Sequence, residues 1–186
     1  MKRIIALLLS VIMIFSVVPF SVSAADENVA RMWICAETND ITGIRHIFLY
    51  FENLTDETIR VGRYDLAAYD EVSVGCVGTE GPRGGGVYYN LETVLDHYSN
   101  QLALSTELDE GELEDVTDAI KNYNRWDPIF NCYYFAAKGW NAGADKSVPF
   151  LIFPGFASIF IKMKGGKSAP FDIFAEEKPV YKQNEL

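Results

Sequence analysis

Hydrophobic positions in this chain fall into blocks of different period, and each block names an element. The first block has no period. After Met1-Lys2-Arg3 an apolar run extends from Ile4 to Phe20, and the small residues Ser21 to Ala25 follow. A basic start, an apolar middle and a small-x-small end describe a secretory signal peptide. The best cut follows Ala24, in Val22-Ser23-Ala24, with Ala25 close behind. Residues 1–24 are therefore assigned to a leader and 25–186 to one mature domain. An uncleaved anchor is the rival, but the run falls short of the about 20 residues that a span needs. No second candidate span lies downstream, and no Cys follows the cut to take a lipid.

The next blocks have strand character. Arg31 to Glu37 is apolar and aromatic, and Arg45 to Phe51 reads RHIFLYF. Alternation there puts His46, Phe48 and Tyr50 on one face and Ile47, Leu49 and Phe51 on the other. Asn53 to Glu57 has turn composition, Thr58 to Gly62 is expected to pair back as a hairpin partner, and Glu71 to Val77 forms another strand. The period then becomes helical. Leu91, Val94, Leu95, Tyr98 and Leu102 share a stripe over Asn90 to Leu104, with Asn90 as N-cap. Asp109 and Glu112 have capping-box spacing ahead of the stripe Leu113, Val116, Ile120 and Tyr123. A third helix opens at Asn131-Cys132, runs to about Trp140 and stops over Asn141-Ala142-Gly143. Val148 to Phe153 and Ala157 to Met163 read as strands, followed by a Gly165-Gly166 turn. Strands, then helices, then strands predict an α+β fold, an antiparallel sheet packed on a helical layer.

Composition narrows the function. The 186 residues suit a single domain, with no repeat visible. The 26 acidic against 16 basic residues give a net charge of −10, and the pI is near 4.6, which argues against a nucleic-acid partner. Loss of the leader removes Lys2 and Arg3 and makes the chain more acidic still. A hydrophobic content of 49% excludes a disordered chain. Three Cys are too few for a disulfide-stapled scaffold. Two His exclude a zinc site of several histidines, and no metal or other cofactor is expected. The acidic start of the second helix reads as a solvated face, since it lacks the spacing of a calcium loop. A secreted, bacterial, monomeric protein working in an oxidising space is expected.

The segment Asn131-Cys132-Tyr133-Tyr134-Phe135 carries the chemistry. Asn131 caps a helix and puts Cys132 in its first turn, where the positive helix end favours a thiolate. The N–H groups there face a developing oxyanion. A nucleophilic thiol needs a base within reach, and His46, on a central-looking strand, is the first candidate. His97, on the flank of the Leu91/Leu95/Tyr98 stripe, is the alternative.

Asn-Cys-x-x-Phe at a helix start, with a His on a strand far upstream, resembles the circularly permuted branch of the papain-like NlpC/P60 superfamily. That branch includes lecithin:retinol acyltransferase-like and PPPDE-type proteins. The resemblance covers the strand around His46 and residues 131–135. It implies a permuted papain-like fold, Cys132 as nucleophile and His46 as base. It also implies an amide or ester substrate, with cell-wall peptides as the class for a secreted bacterial member. The family's third polar residue, which orients the His, falls near Thr58 or Arg60.

Alternative readings stand beside these. Cys132, Phe135, Ala136 and Gly139 also fit an ordinary buried helix face. Trp126, Tyr133, Tyr134 and Trp140 either line a cleft or fill the core. Cys35 and Cys76 either form a disulfide across neighbouring strands or are reduced core residues. The Gly78 to Gly86 loop is not a phosphate loop, because no Lys-Ser/Thr follows it. At the level of function, the rival to a cysteine hydrolase is a non-catalytic secreted binding module.

Overall fold

The computed structural model describes residues 27–37, 46–79, 81–95, 101–150, 156–173 and 175–186. The expected leader and His97 lie outside them, as does the 151–153 part of the strand expected over Val148 to Phe153.

The apolar strands are buried on both faces, and the fold follows from that. β1 (Ala30–Glu37), β2 (Ile47–Asn53) and β5 (Glu71–Val77) are buried almost throughout. One-sided burial would have made them alternate. β2 lies at the centre, antiparallel to β1 on one side and β5 on the other. With β6 (Gly86–Tyr89), β7 (Gln101–Leu108), β8 (Lys167–Ser168) and β9 (Tyr181–Lys182), they make a seven-stranded sheet ordered β8-β7-β1-β2-β5-β6-β9. Every pairing in it is antiparallel.

One face meets the helices α1 (Glu110–Lys121), α2 (Cys132–Gly143) and α3 (Ala157–Met163). Ile34, Ile47, Leu49 and Phe51 of the sheet share a core with Val116 and Ile120 of α1. Phe135 and Trp140 of α2 and Ala157 and Ile161 of α3 belong to the same core. The other face carries Trp33, Cys35, Phe48 and Tyr50 and is covered by the C-terminal segment through Phe171 and Ile173. The Phe171 ring stacks on Tyr50 at 3.9 Å between centroids. The protein is thus α+β, a large antiparallel sheet with a helical layer. No described helix is long and apolar enough to cross a membrane.

Two of the three caps read from the sequence are present. Asp109 and Glu112 form a reciprocal capping box at α1, and the Asn131 side chain accepts from the N–H groups of Tyr133 and Tyr134 at α2.

Three element expectations are corrected. Thr58 to Gly62 does not pair with β2. β3 (Ile59–Val61) pairs with β4 (Tyr64–Leu66) in a separate two-stranded sheet, because Gly62 and Arg63 close a turn between them. The helix expected over Asn90–Leu104 is a single 3-10 turn at Leu91–Val94, followed by β7. Asn90 sits at φ 61° and makes no cap bond, while Gln101–Leu108 pairs along all of β1. The segment Ala157–Met163, expected as a strand, is helical, with Ala157 and Ile161 buried at the four-residue spacing of one helix face. A short apolar run does not distinguish the two states by itself.

α1 and α2 meet at Gly143. A Cβ there would lie 2.6 Å from Val116 Cγ2 and 3.0 Å from both the Glu112 carbonyl oxygen and Leu108 Cδ2. Gly143→Ala is therefore expected to lower unfolding free energy by about 1–3 kcal/mol through overpacking, although alanine favours helix. Urea denaturation checks it, and an unchanged midpoint would contradict this packing.

Candidate active site

Cys132 is the first residue of α2, held there by the Asn131 cap. Asn131 is itself fixed, donating from Nδ2 to the Pro128 carbonyl at 3.1 Å. Cys132 is buried but keeps 9% exposure, whereas Cys35 and Cys76 have 0%, so it is the least enclosed of the three cysteines. The cap takes the N–H groups of Tyr133 and Tyr134. Those two donors, expected to face an oxyanion, point instead at Asn131, and the positive end of the helix is what remains for developing charge.

His46 immediately precedes β2 and is tied to β1, its carbonyl accepting from the Glu37 N–H at 3.1 Å. Its ring lies nearly parallel to Phe48, 5.9 Å between centroids. The ring has two hydrogen-bond partners. Nε2 meets Glu92 Oε1 at 2.9 Å, and a side-chain hydrogen bond joins the ring to Cys132. Glu92 has 0% exposure, and its other oxygen, Oε2, accepts from Ser73 Oγ at 2.7 Å. The result is a buried chain of side chains from a thiol through an imidazole to a carboxylate.

Burial alone would strip the proton from His46. The hydrogen bonds and negative charge of Cys132 and Glu92 outweigh it and push the imidazole up to about 10. His46 therefore holds its proton at neutral pH and carries a positive charge between two acidic partners.

Several expected residues sit elsewhere. Glu92, not Thr58 or Arg60, faces the imidazole. Thr58 is exposed, and Arg60 pairs with Asp65 across the β3–β4 hairpin. Both line a groove of about 840 Å³ that they share with Tyr69, Glu110 and Thr117, on elements other than those carrying Cys132 and His46. Tyr133 and Trp140 are core residues at 0% and 1% exposure, their polar atoms donating to the carbonyls of Pro149 and Lys146. Trp126 is exposed, and Tyr134 is half-buried against Phe130 and Phe150.

Of the two alternatives for Cys35 and Cys76, the structure has the reduced one, since none of the three cysteines is in a disulfide. Cys35 stands opposite Phe48 of β2, and Phe48 opposite Gly75 of β5, so a whole strand separates the two thiols. Two inter-strand steps of about 4.8 Å exceed what a disulfide spans. The side chains also enter the cores on opposite faces of the sheet.

Glu92 is the residue of this site that the sequence does not announce. A helical period over Asn90–Leu104 puts it off the apolar stripe and into solvent. The usable signal was the unexplained His on an apolar strand, which demands a buried acidic partner.

Chemically, the three groups have the makings of a nucleophile, a proton carrier and an orienting anion. Among the described residues no group of three or more His, Cys, Asp or Glu is placed to hold a metal ion. No protein-family model, curated protein or solved structure matches the chain.

A histidine whose proton affinity rises on folding contributes stability that is complete below its ordinary pKa of 6.5 and lost as pH rises through about 10. Ring-carbon NMR is expected to show His46 protonated at pH 8, with its midpoint near pH 10. Glu92→Gln, which removes the acceptor charge, is expected to bring the midpoint down toward 6.5. A neutral wild-type ring at pH 8 would contradict the assignment.

Proposed function

We propose that the protein is an exported cysteine hydrolase of permuted papain-like kind, with Cys132 as nucleophile, His46 as acid–base and Glu92 as the anion that orients His46. The observation that carries this reading is the His46 ring bonded at once to the thiol at a capped helix start and to a buried carboxylate. Structural cysteines and histidines satisfy such needs separately, whereas catalysis needs them in series.

With the proton on His46, the Cys132 sulfur attacks a carbonyl carbon, and a C–S bond forms as the carbonyl π electrons move to oxygen. The intermediate collapses, the C–N or C–O bond breaks, and His46 gives its proton to the leaving amine or alkoxide. A water then attacks the thioester while neutral His46 takes its proton. The C–S bond breaks, the acid leaves, and the starting pair is restored. Throughout, Glu92 keeps the imidazole oriented and offsets its charge. Peptides of the cell wall are the substrate class that an exported bacterial chain with the expected leader meets.

The second reading is a non-catalytic binding module. The observation favouring it is that a groove of about 840 Å³ is lined by Thr58 and Arg60 and not by Cys132.

Turnover of model peptide amides and esters separates the two. Cys132→Ala is expected to abolish hydrolysis, and mass spectrometry of the wild type to find an acyl group on the peptide containing Cys132. His46→Ala is expected to reduce kcat/KM by about 10²–10⁴-fold, the usual contribution of general acid–base catalysis. Binding retained equally by wild type and Cys132→Ala, with no turnover across the panel, would establish the module instead.

A further inference from the structure

Two residues of β5 bear on the Glu92 carboxylate from the strand beneath it. Ser73, with 0% exposure, donates from Oγ to Oε2 at 2.7 Å, while Oε1 of the same carboxylate faces His46. The Ser73 backbone is locked to Asn90. Its N–H reaches Asn90 Oδ1 at 3.4 Å, and its carbonyl accepts from the Asn90 N–H at 2.9 Å. Asn90 is in the left-handed region at φ 61°, which asparagine tolerates better than most residues. It turns the chain from β6 into the 3-10 turn that delivers Glu92.

Two positions along, on the same face of β5, Gly75 supplies space. A Cβ there would stand 2.0 Å from Glu92 Oε1 and 2.8 Å from His46 Nε2. The strand thus holds one carboxylate oxygen with a donor and leaves room for the other to reach the imidazole.

We propose that Ser73 is a positioning residue that clamps the Glu92 carboxylate in the rotation that serves His46, extending the catalytic chain to Ser73–Glu92–His46–Cys132. This rests on the reading of Cys132 and His46 given above. A carboxylate bonded through one oxygen is free to turn about its last C–C bond, and a buried oxygen left without a donor is costly. The Ser73 hydroxyl removes both problems. The titratable groups facing the unit are Cys132 from α2 and Glu92 from the 3-10 turn, with Cys35 of β1 within electrostatic reach of Glu92.

The test uses the mature chain and needs no substrate. Its readouts are the rate of iodoacetamide alkylation at Cys132, located by mass spectrometry, and the NMR midpoint of the His46 ring. Ser73→Ala is expected to slow alkylation at pH 7 by about tenfold, the scale of one unmet buried acceptor, and to lower the His46 midpoint. Ser73→Thr, which keeps the hydroxyl, is expected to preserve both. If Ser73→Ala does not fold, Ser73→Thr and Ser73→Val repeat the comparison at constant shape. A serine that merely fills its site would lower Tm and leave alkylation and midpoint unchanged, and that result overturns the proposal. Shifted readouts in a chain that hydrolyses nothing would keep the clamp and remove the hydrolase. Unshifted readouts in a competent hydrolase would do the reverse.

Discussion

The hydrogen bond between the buried Glu92 carboxylate and the His46 ring is the constraint around which the rest of the site is arranged. A carboxylate with 0% exposure is tolerated only when its charge is matched and its oxygens are bonded, since the effective cost of burying an unpaired ion is several kcal/mol. His46 matches one oxygen and Ser73 the other. The surrounding backbone is shaped to the same end. Gly75 gives the pair its room, and Asn90 takes a left-handed conformation to bring Glu92 inward. The Asn90 amide also donates to the carbonyl of Pro179, which anchors the C-terminal segment beside the site.

The sheet makes this arrangement rigid. β2 is flanked by β1 and β5 and packed on both faces, by helices on one and by Phe171 and Ile173 on the other. His46 leads directly into that strand, and its carbonyl is held by β1. Lys178 fastens the covering segment back to the sheet, donating to Asp70 Oδ1 at 2.6 Å and to the Glu71 carbonyl at 2.7 Å. On the helical side, α2 is fixed by α1 at Gly143 and by the Asn131 cap, so the thiol arrives at the imidazole from a second rigid element. Preorganisation of this kind is what acyl transfer requires, because the reacting groups must already be in place when charge develops.

Much of this was legible in the residues. The RHIFLYF run gave the central strand, Asp109 with Glu112 gave the start of α1, and Asn131-Cys132 gave the start of α2. The pairing of His46 with Cys132 followed from scarcity, since a thiol that needs a base had two histidines to choose from. What stayed hidden depended on contacts distant in sequence. Glu92 lies 46 residues from His46, inside a stretch whose apolar spacing imitates a helix. Only the pairing of β7 with β1 and the tie between Asn90 and Ser73 break that pattern. The apolar run at Ala157–Met163 misled for a related reason, since its period is too short to separate strand from helix. The partners of Cys35 and Cys76 depended on strand order, which places β2 between them.

Glu92 is expected to act on Cys132 only through His46. A double-mutant cycle on the rate of Cys132 alkylation tests it most directly, using wild type, His46→Ala, Glu92→Gln and the double variant. Groups that work as one unit give strongly non-additive losses. The double variant is expected to be no slower than His46→Ala alone. Two losses that multiply independently would contradict it.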